Sequence, residues 1–328
     1  MSDLSSTFTS ESQSKQPIRE RIGFNIEGKD AADAVKRIRE AENAGVRQVW
    51  MTVGGAGRGE TLTTYAASAV QSEKIRLGTA IARVYPCHPL LIASQAIVIN
   101  DLAPGRFRLG VGLSHRDENL QMYGYQMTSP LSYLKEYVKI VRDALHTGTV
   151  DFHGKFFNVT ASMPRKAQLP VLVSALRENA FRAAGEVSDG AISWLCPVPY
   201  LLNTAIPALK EGALKSGRST PPLVAQVLVA ITQERSKALA AAKRRLSFYA
   251  KKQFYANMFA AAGLSVPSDG SVTDELAEAL IIFGSENEIS ERLSSLLKNG
   301  LDELLVTLAP VESEEKERVN LLRMIGSM

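Results

Sequence analysis

Apolar positions along residues 75–115 change period twice. Ile75–Ile81 and Phe107–Leu113 are apolar almost throughout, while between them Leu90, Leu91, Ala93, Ala96, Ile97, Ile99 and Leu102 recur at helical spacing. This predicts a strand, a crossover helix and a second strand lying parallel to the first. Strands apolar on both faces belong to a parallel sheet covered on both sides. The polar groups are held back to the strand ends, Thr79 to Arg83 and Ser114-His115-Arg116.

The same alternation continues along the chain. Strands are predicted at Arg21–Ile26, Val46–Val53, Pro170–Ser174, Gly190–Leu195, Leu223–Thr232 and Leu304–Leu308. Helices are predicted over Asp30–Ala44, Leu62–Val70, Leu131–Leu145, Glu178–Val187, Pro199–Gly217, Ser285–Asn299 and 311–325, with a small hairpin in 148–168. Residues 234–282 are helical and longer than one crossover needs, which makes them an elaboration over the barrel mouth. Eight strands alternating with helices predict an α/β fold, a (β/α)8 TIM barrel with a helical elaboration after strand 7. A doubly wound open sheet is the rival, but no GxGxxG follows the first strand. Residues 1–17 are Ser/Thr-rich without an apolar core and are expected to be a disordered tail, leaving 18–328 as a single barrel domain.

Composition narrows the class. Of 328 residues, 45% are hydrophobic and 22% charged, with a net charge of +4 and Lys and Arg scattered along the chain. That balance fits a globular protein with no nucleic-acid partner. No run approaches 18 apolar residues, so no membrane span is expected, and a cytoplasmic location follows from the lack of a leader. Cys87 and Cys196 have neither a CxxC partner nor metal-ligand neighbours, so both are expected as free thiols.

The candidate chemistry sits at the strand ends. Gly54–Thr61 (GGAGRGET) nearly spells a P-loop, but Glu60 stands where the phosphate-binding Lys belongs, so the stretch reads as a βα loop. His115 directly follows a barrel strand and is the candidate acid/base, because imidazole titrates near working pH. His88 precedes a helix that Pro89 opens, and can either cap that helix or contact a ligand. Trp194 ends strand six, as a pocket wall or a core aromatic. No HExxH, GxSxG or acidic cluster is present, which leaves metal and serine hydrolysis without support.

The run LGTAI, YPxHP, an alanine-rich helix, GRFxLGVG and a trailing SH resembles the luciferase-like flavin/deazaflavin oxidoreductases, over roughly residues 20–310. The branch it is most similar to uses the deazaflavin coenzyme F420 and resembles methylene-tetrahydromethanopterin reductase. The resemblance implies a cis non-prolyl bond between Ala80 and Ile81, after Thr79, forming a bulge behind the deazaflavin ring. It places Val53 and Gly54 beside the ring and the cofactor phosphate at Ser174, Ala175, Leu176 and Arg177, with small residues and a helix N-terminus as its usual means. Here Leu176 and Arg177 replace residues that are often glycine-like, and Arg177 offers a charge-assisted contact instead. Ser114 and His115 fall on the cofactor side, with His115 near a carboxylate that donates a proton in related sugar-phosphate dehydrogenases. Those enzymes carry Asp-His where this chain has Val53-Gly54, so oxidation of a sugar alcohol by that pair is not expected. Cys87 stands where Arg is frequent.

The resemblance thus implies an enzyme moving a hydride between coenzyme F420 and a small organic substrate, with the redox chemistry in the cofactor. It also implies a homodimer through barrel helices. Two rivals stand beside it: an FMN-dependent monooxygenase of the same fold, and a barrel that binds flavin or ligand without turnover.

Overall fold

The computed structural model describes residues 8–52 and 60–328. Eight parallel strands close a barrel among them: β1 (Ile22–Asn25), β2 (Gln48–Met51), β3 (Arg76–Thr79), β4 (Phe107–Gly112), β5 (Val171–Ser174), β6 (Gly190–Ser193), β7 (Leu223–Ile231) and β8 (Glu303–Leu308). Each pairs with the next, and β8 closes on β1 with Ile22 opposite Leu304. The predicted (β/α)8 barrel is the architecture observed. Strand ends are shorter than their apolar runs, because the flanking residues turn into loops.

Local signals set the helices. In α1 (Ala31–Asn43), the Asp30 carboxylate accepts the Asp33 amide proton at 2.8 Å, and Ala34, Ile38 and Ala41 form the buried stripe. Glu60, the residue that spoils the P-loop pattern, accepts from Leu62 and Thr63 to cap α2 (Thr61–Ala69). Crossover helix α3 (Pro89–Leu102) buries Ile92, Ala93, Ala96, Ile97 and Ile99, but Leu91, Val98 and Leu102 face outward. Next come α4 (Pro130–Arg142), the hairpin Thr149–His153/Asn158–Ser162, α5 (Glu178–Val187) and α6 (Ile206–Lys215). A capping box between Ser285 and Glu288 starts α7 (Glu286–Lys298), and α8 (Glu314–Ser327) closes the ring.

The elaboration is three helices, Arg235–Ala250, Gln253–Ala261 and Asp274–Leu280, followed by a strand, Ile281–Gly284. Expected to be helical to residue 282, the segment instead ends by extending the sheet. Ile281–Gly284 pairs parallel with Leu228–Ile231, where β7 outruns its barrel neighbours.

The barrel interior is filled in layers. Trp50, Ala80, Leu172, Ile192, Val224 and Leu305 form the inner cluster. Trp50 fits because Gly23 and Gly78 flank it: a Cβ at Gly78 would lie 2.4 Å from the indole. Below it the Arg108 guanidinium stacks on the indole at 4.4 Å and bonds Glu303 twice, at 2.8 and 3.0 Å, with Gln48 completing the network. This polar plug closes the floor.

Of the stretch expected to be a disordered tail, residues 8–17 are described, and they dock under the floor. Ser10–Ser14 is a short helix capped by Thr9. The Ser10 amide donates to the Thr220 carbonyl, and its hydroxyl donates to the Asp302 carboxylate at 2.6 Å. Burial pushes the Asp302 carboxyl up to about 6.

Candidate active site

At the opposite end, the C-terminal ends of the strands surround a cavity of about 1140 Å³. Barrels of this kind place their chemistry there. Ala80, Ile81, Ser114, His115, Ser174, Ala175, Leu176, Arg177 and Trp194 all line it, so most of the sequence-derived candidates converge on one space. Val53 and Gly54 lie outside the described residues. Two other candidates are held elsewhere. The Thr79 hydroxyl is fully buried, donating to the Gly110 carbonyl and accepting its amide proton, so it ties β3 to β4 beneath the cavity. His88 is exposed and outside the lining: its Nδ1 accepts the Leu90 amide proton at 3.2 Å, the helix-capping alternative.

The backbone takes unusual states around this space. The Ala80–Ile81 peptide bond is cis, where the resemblance puts it. Ser114 (φ 58°) and Leu195 (φ 55°) lie in the left-handed region, which side chains other than glycine seldom occupy away from functional sites. The Asn119 side-chain amide donates to the Leu113 carbonyl at 2.7 Å, and Gln226 accepts the Leu195 amide proton at 2.9 Å, so each turn is pinned by a buried amide. Gly112 opens room beside Ser174, whose hydroxyl would lie 2.1 Å from a Cβ there.

His115 begins the short helix Arg116–Tyr123. Phe248, Tyr249 and Tyr255 of the elaboration surround its ring at centroid distances of 5.4, 6.2 and 6.0 Å. Burial among these aromatics holds its pKa below the ordinary imidazole value, against the pull of Glu118. Glu118 also lines the cavity and pairs with Arg83 at 2.8 Å. On the other side Glu27 accepts from Asn25 at 3.1 Å and is held by Arg245 at 3.1 Å to each oxygen. Residues of β5 to α5 form a further edge, with Arg177 exposed at the first turn of α5. Both thiols stay protonated: Cys87 is raised by burial, and Cys196 is pushed up to about 12.

Sequence reading placed Arg83 at a strand end, where it lines the cavity, but missed Glu27, Glu118, Gln226, Arg245 and Thr307, which line it too. The available signal was polarity inside apolar strands, as with Gln226 in LVAQVLVAIT. Gln226 Nε2 and Thr307 Oγ1 are buried without a hydrogen-bond partner, although both residues border the cavity. Among the described residues no group of three or more His, Cys, Asp or Glu is placed to hold a metal ion. None of their helices is long and apolar enough to cross a membrane.

A family model described as luciferase-like monooxygenase matches residues 5–303. The 5,10-methylenetetrahydromethanopterin reductase of Archaeoglobus fulgidus is 23% identical over 309 residues, covering 87% of this chain and 92% of that one. An F420-dependent glucose-6-phosphate dehydrogenase from Nocardia farcinica is 26% identical, covering 79% and 80%. Among solved structures, a coenzyme F420 dependent tetrahydromethanopterin reductase from Methanopyrus kandleri superposes with a TM-score of 0.77 at 20% identity, over 93% of this chain and 97% of that one.

Proposed function

The chain belongs to the luciferase-like monooxygenase family, and from that premise we propose that it is a coenzyme F420-dependent oxidoreductase acting on a small organic substrate. The observation that carries this reading is the mouth itself: the apolar Ala80–Ile81 end of β3, a helix N-terminus at Arg177 and a half-buried imidazole at His115 border one large cavity. A relative and a solved structure named for the same cofactor support it.

The residues present fit a deazaflavin. The Ala80–Ile81 bulge gives a flat ring an apolar back wall, and Trp194 a side wall. Ser174, Ala175, Leu176 and Arg177 would hold the phosphate, the guanidinium and the unsatisfied amides of a helix start both favouring an anion. When bound, the cofactor would supply two electrons as a hydride. The protein's part is orientation, exclusion of water beneath Phe248, Tyr249 and Tyr255, and proton delivery or removal at His115. We also propose a cytoplasmic homodimer. Leu91, Val98 and Leu102 lie on one face of α3 at 55%, 48% and 40% exposure, which supports a partner copy covering that face.

Titration of the purified protein with the deazaflavin and, separately, with FMN tests the reading by cofactor fluorescence. Deazaflavin bound and FMN ignored is the expected result. Preference for FMN assigns the protein to oxygen-activating chemistry instead. Binding with no redox turnover on any substrate supports a ligand-binding barrel.

A further inference from the structure

The cofactor candidates that line the cavity follow β3 to β6, which leaves the arc from β7 through β8 to β1 facing the remaining half of the cavity. Two side chains of that arc that line the cavity are at least nine-tenths buried and unpartnered at one polar atom. Gln226 is 2% exposed, and its Oε1 is taken by the Leu195 amide while Nε2 has no acceptor. Thr307 is 3% exposed with nothing bonded to its hydroxyl. Both project inward: each stands two residues beyond an inner-cluster residue, Val224 and Leu305 respectively, and a strand repeats its face every second residue. The strand register puts Gln226 beside Leu305 and Leu228 beside Thr307, so the two donors lie on adjacent strands, one layer apart.

Two N–H or O–H donors without acceptors, with Leu228 beside them in the lining, suit one carbonyl oxygen with two lone pairs. The acid/base candidate is elsewhere. His115 follows β4, and three strands lie between β4 and β8 either way around the eight-stranded ring, so the two stand on opposite sides of the mouth. An oxygen held by Gln226 and Thr307 therefore has its lone pairs engaged on the side of the mouth away from His115. A substrate whose oxygen is bound at one place and whose proton arrives at another is one in which hydride and proton both add to carbon. The wall of Phe248, Tyr249 and Tyr255 around His115 favours a flat molecule. The guanidinium groups of Arg83 and Arg245 are each engaged by a carboxylate and that of Arg244 by the Pro310 carbonyl, which favours an uncharged one.

Resting on the deazaflavin reading above, we propose that the substrate is a planar α,β-unsaturated carbonyl compound, held by its oxygen on Gln226 and Thr307 and reduced at its C=C bond. The β-carbon takes the hydride with its electron pair, supplied by the reduced deazaflavin, which is oxidised by two electrons. The C=C π bond breaks, its electrons pass into the enolate that the two donors stabilise, and the α-carbon takes a proton from the His115 side. The product is the saturated carbonyl compound.

The probe is 2-cyclohexen-1-one. Its binding to the protein alone is read by calorimetry, and its product with reduced deazaflavin by gas chromatography. The wild type is expected to bind it and to form cyclohexanone. Thr307→Val, of equal shape, and Gln226→Glu, which keeps the acceptor for Leu195, should each weaken binding about 3- to 10-fold. Deazaflavin affinity, measured in parallel by fluorescence, should be unchanged. Formation of 2-cyclohexen-1-ol, failure of the enone to bind the protein alone, or binding indifferent to both substitutions overturns the proposal. Failure of the deazaflavin to bind overturns the cofactor reading instead, and the enone calorimetry still judges this one.

Discussion

Trp50 owes its place inside the barrel to two positions that have no side chain. A methyl group at Gly78 would meet the indole 2.4 Å away, and one at Gly23 would meet it at 2.6 Å. Gly78→Ala is therefore expected to destabilise the fold by about 1–3 kcal/mol, measured by urea unfolding, with the far-UV spectrum retained. His115 gives a residue-scale prediction for pH. Burial lowers its pKa, so the imidazolium needed to donate a proton is present only below the ordinary value of about 6.5. In the reducing direction kcat/KM should fall as pH rises through a midpoint below 6.5. His115→Asn should remove that limb and lower turnover by about 10²–10⁴. The same burial has a stability consequence. The unfolded chain takes up this proton at higher pH than the folded one, so the contribution is complete above about pH 6.5 and is lost as pH falls through the folded value.

Elements starting or ending on strong local chemistry are the ones whose bounds were legible. The Asp30, Pro89 and Ser285 starts are each written in the residues themselves. Ser285→Ala removes a cap that accepts from the Glu288 amide and should cost about 1 kcal/mol in chemical denaturation. Barrel strands were legible for a different reason: a strand covered on both faces is apolar throughout, a pattern surface loops do not imitate. Ile281–Gly284 was not, because its apolar residues continue the helical stretch DELAEAL, and only its pairing with the distant end of β7 makes it a strand. Much the same holds for the candidate site. His115 and Ala80–Ile81 are legible because they follow strand signals closely. Glu27 and Arg245 meet across 218 positions, and neither carries a local mark of the other. Only the closing of the barrel joins them.

For the whole molecule, the two ends of the barrel respond oppositely to acid. Asp302, buried under the floor beside Ser10, has its pKa raised from 3.8 to about 6. The folded chain thus binds this proton more tightly, so its contribution is fully present below about pH 3.8 and disappears as pH rises through about 6. The swing is on the order of 3 kcal/mol. Asp302→Asn should flatten the stability change between about pH 4 and 6, read from unfolding midpoints. At the outer wall, Leu91→Glu combined with Val98→Lys should yield a monomer by light scattering if the α3 face is the contact between copies. The plug of Arg108, Glu303, Gln48 and Trp50 reaches further still. A vessel sealed at its base has one door, and whatever rests deepest must arrive first and leave last. Turnover should therefore show a compulsory sequence of arrivals, with the ligand nearer the door inhibiting release of the one behind it.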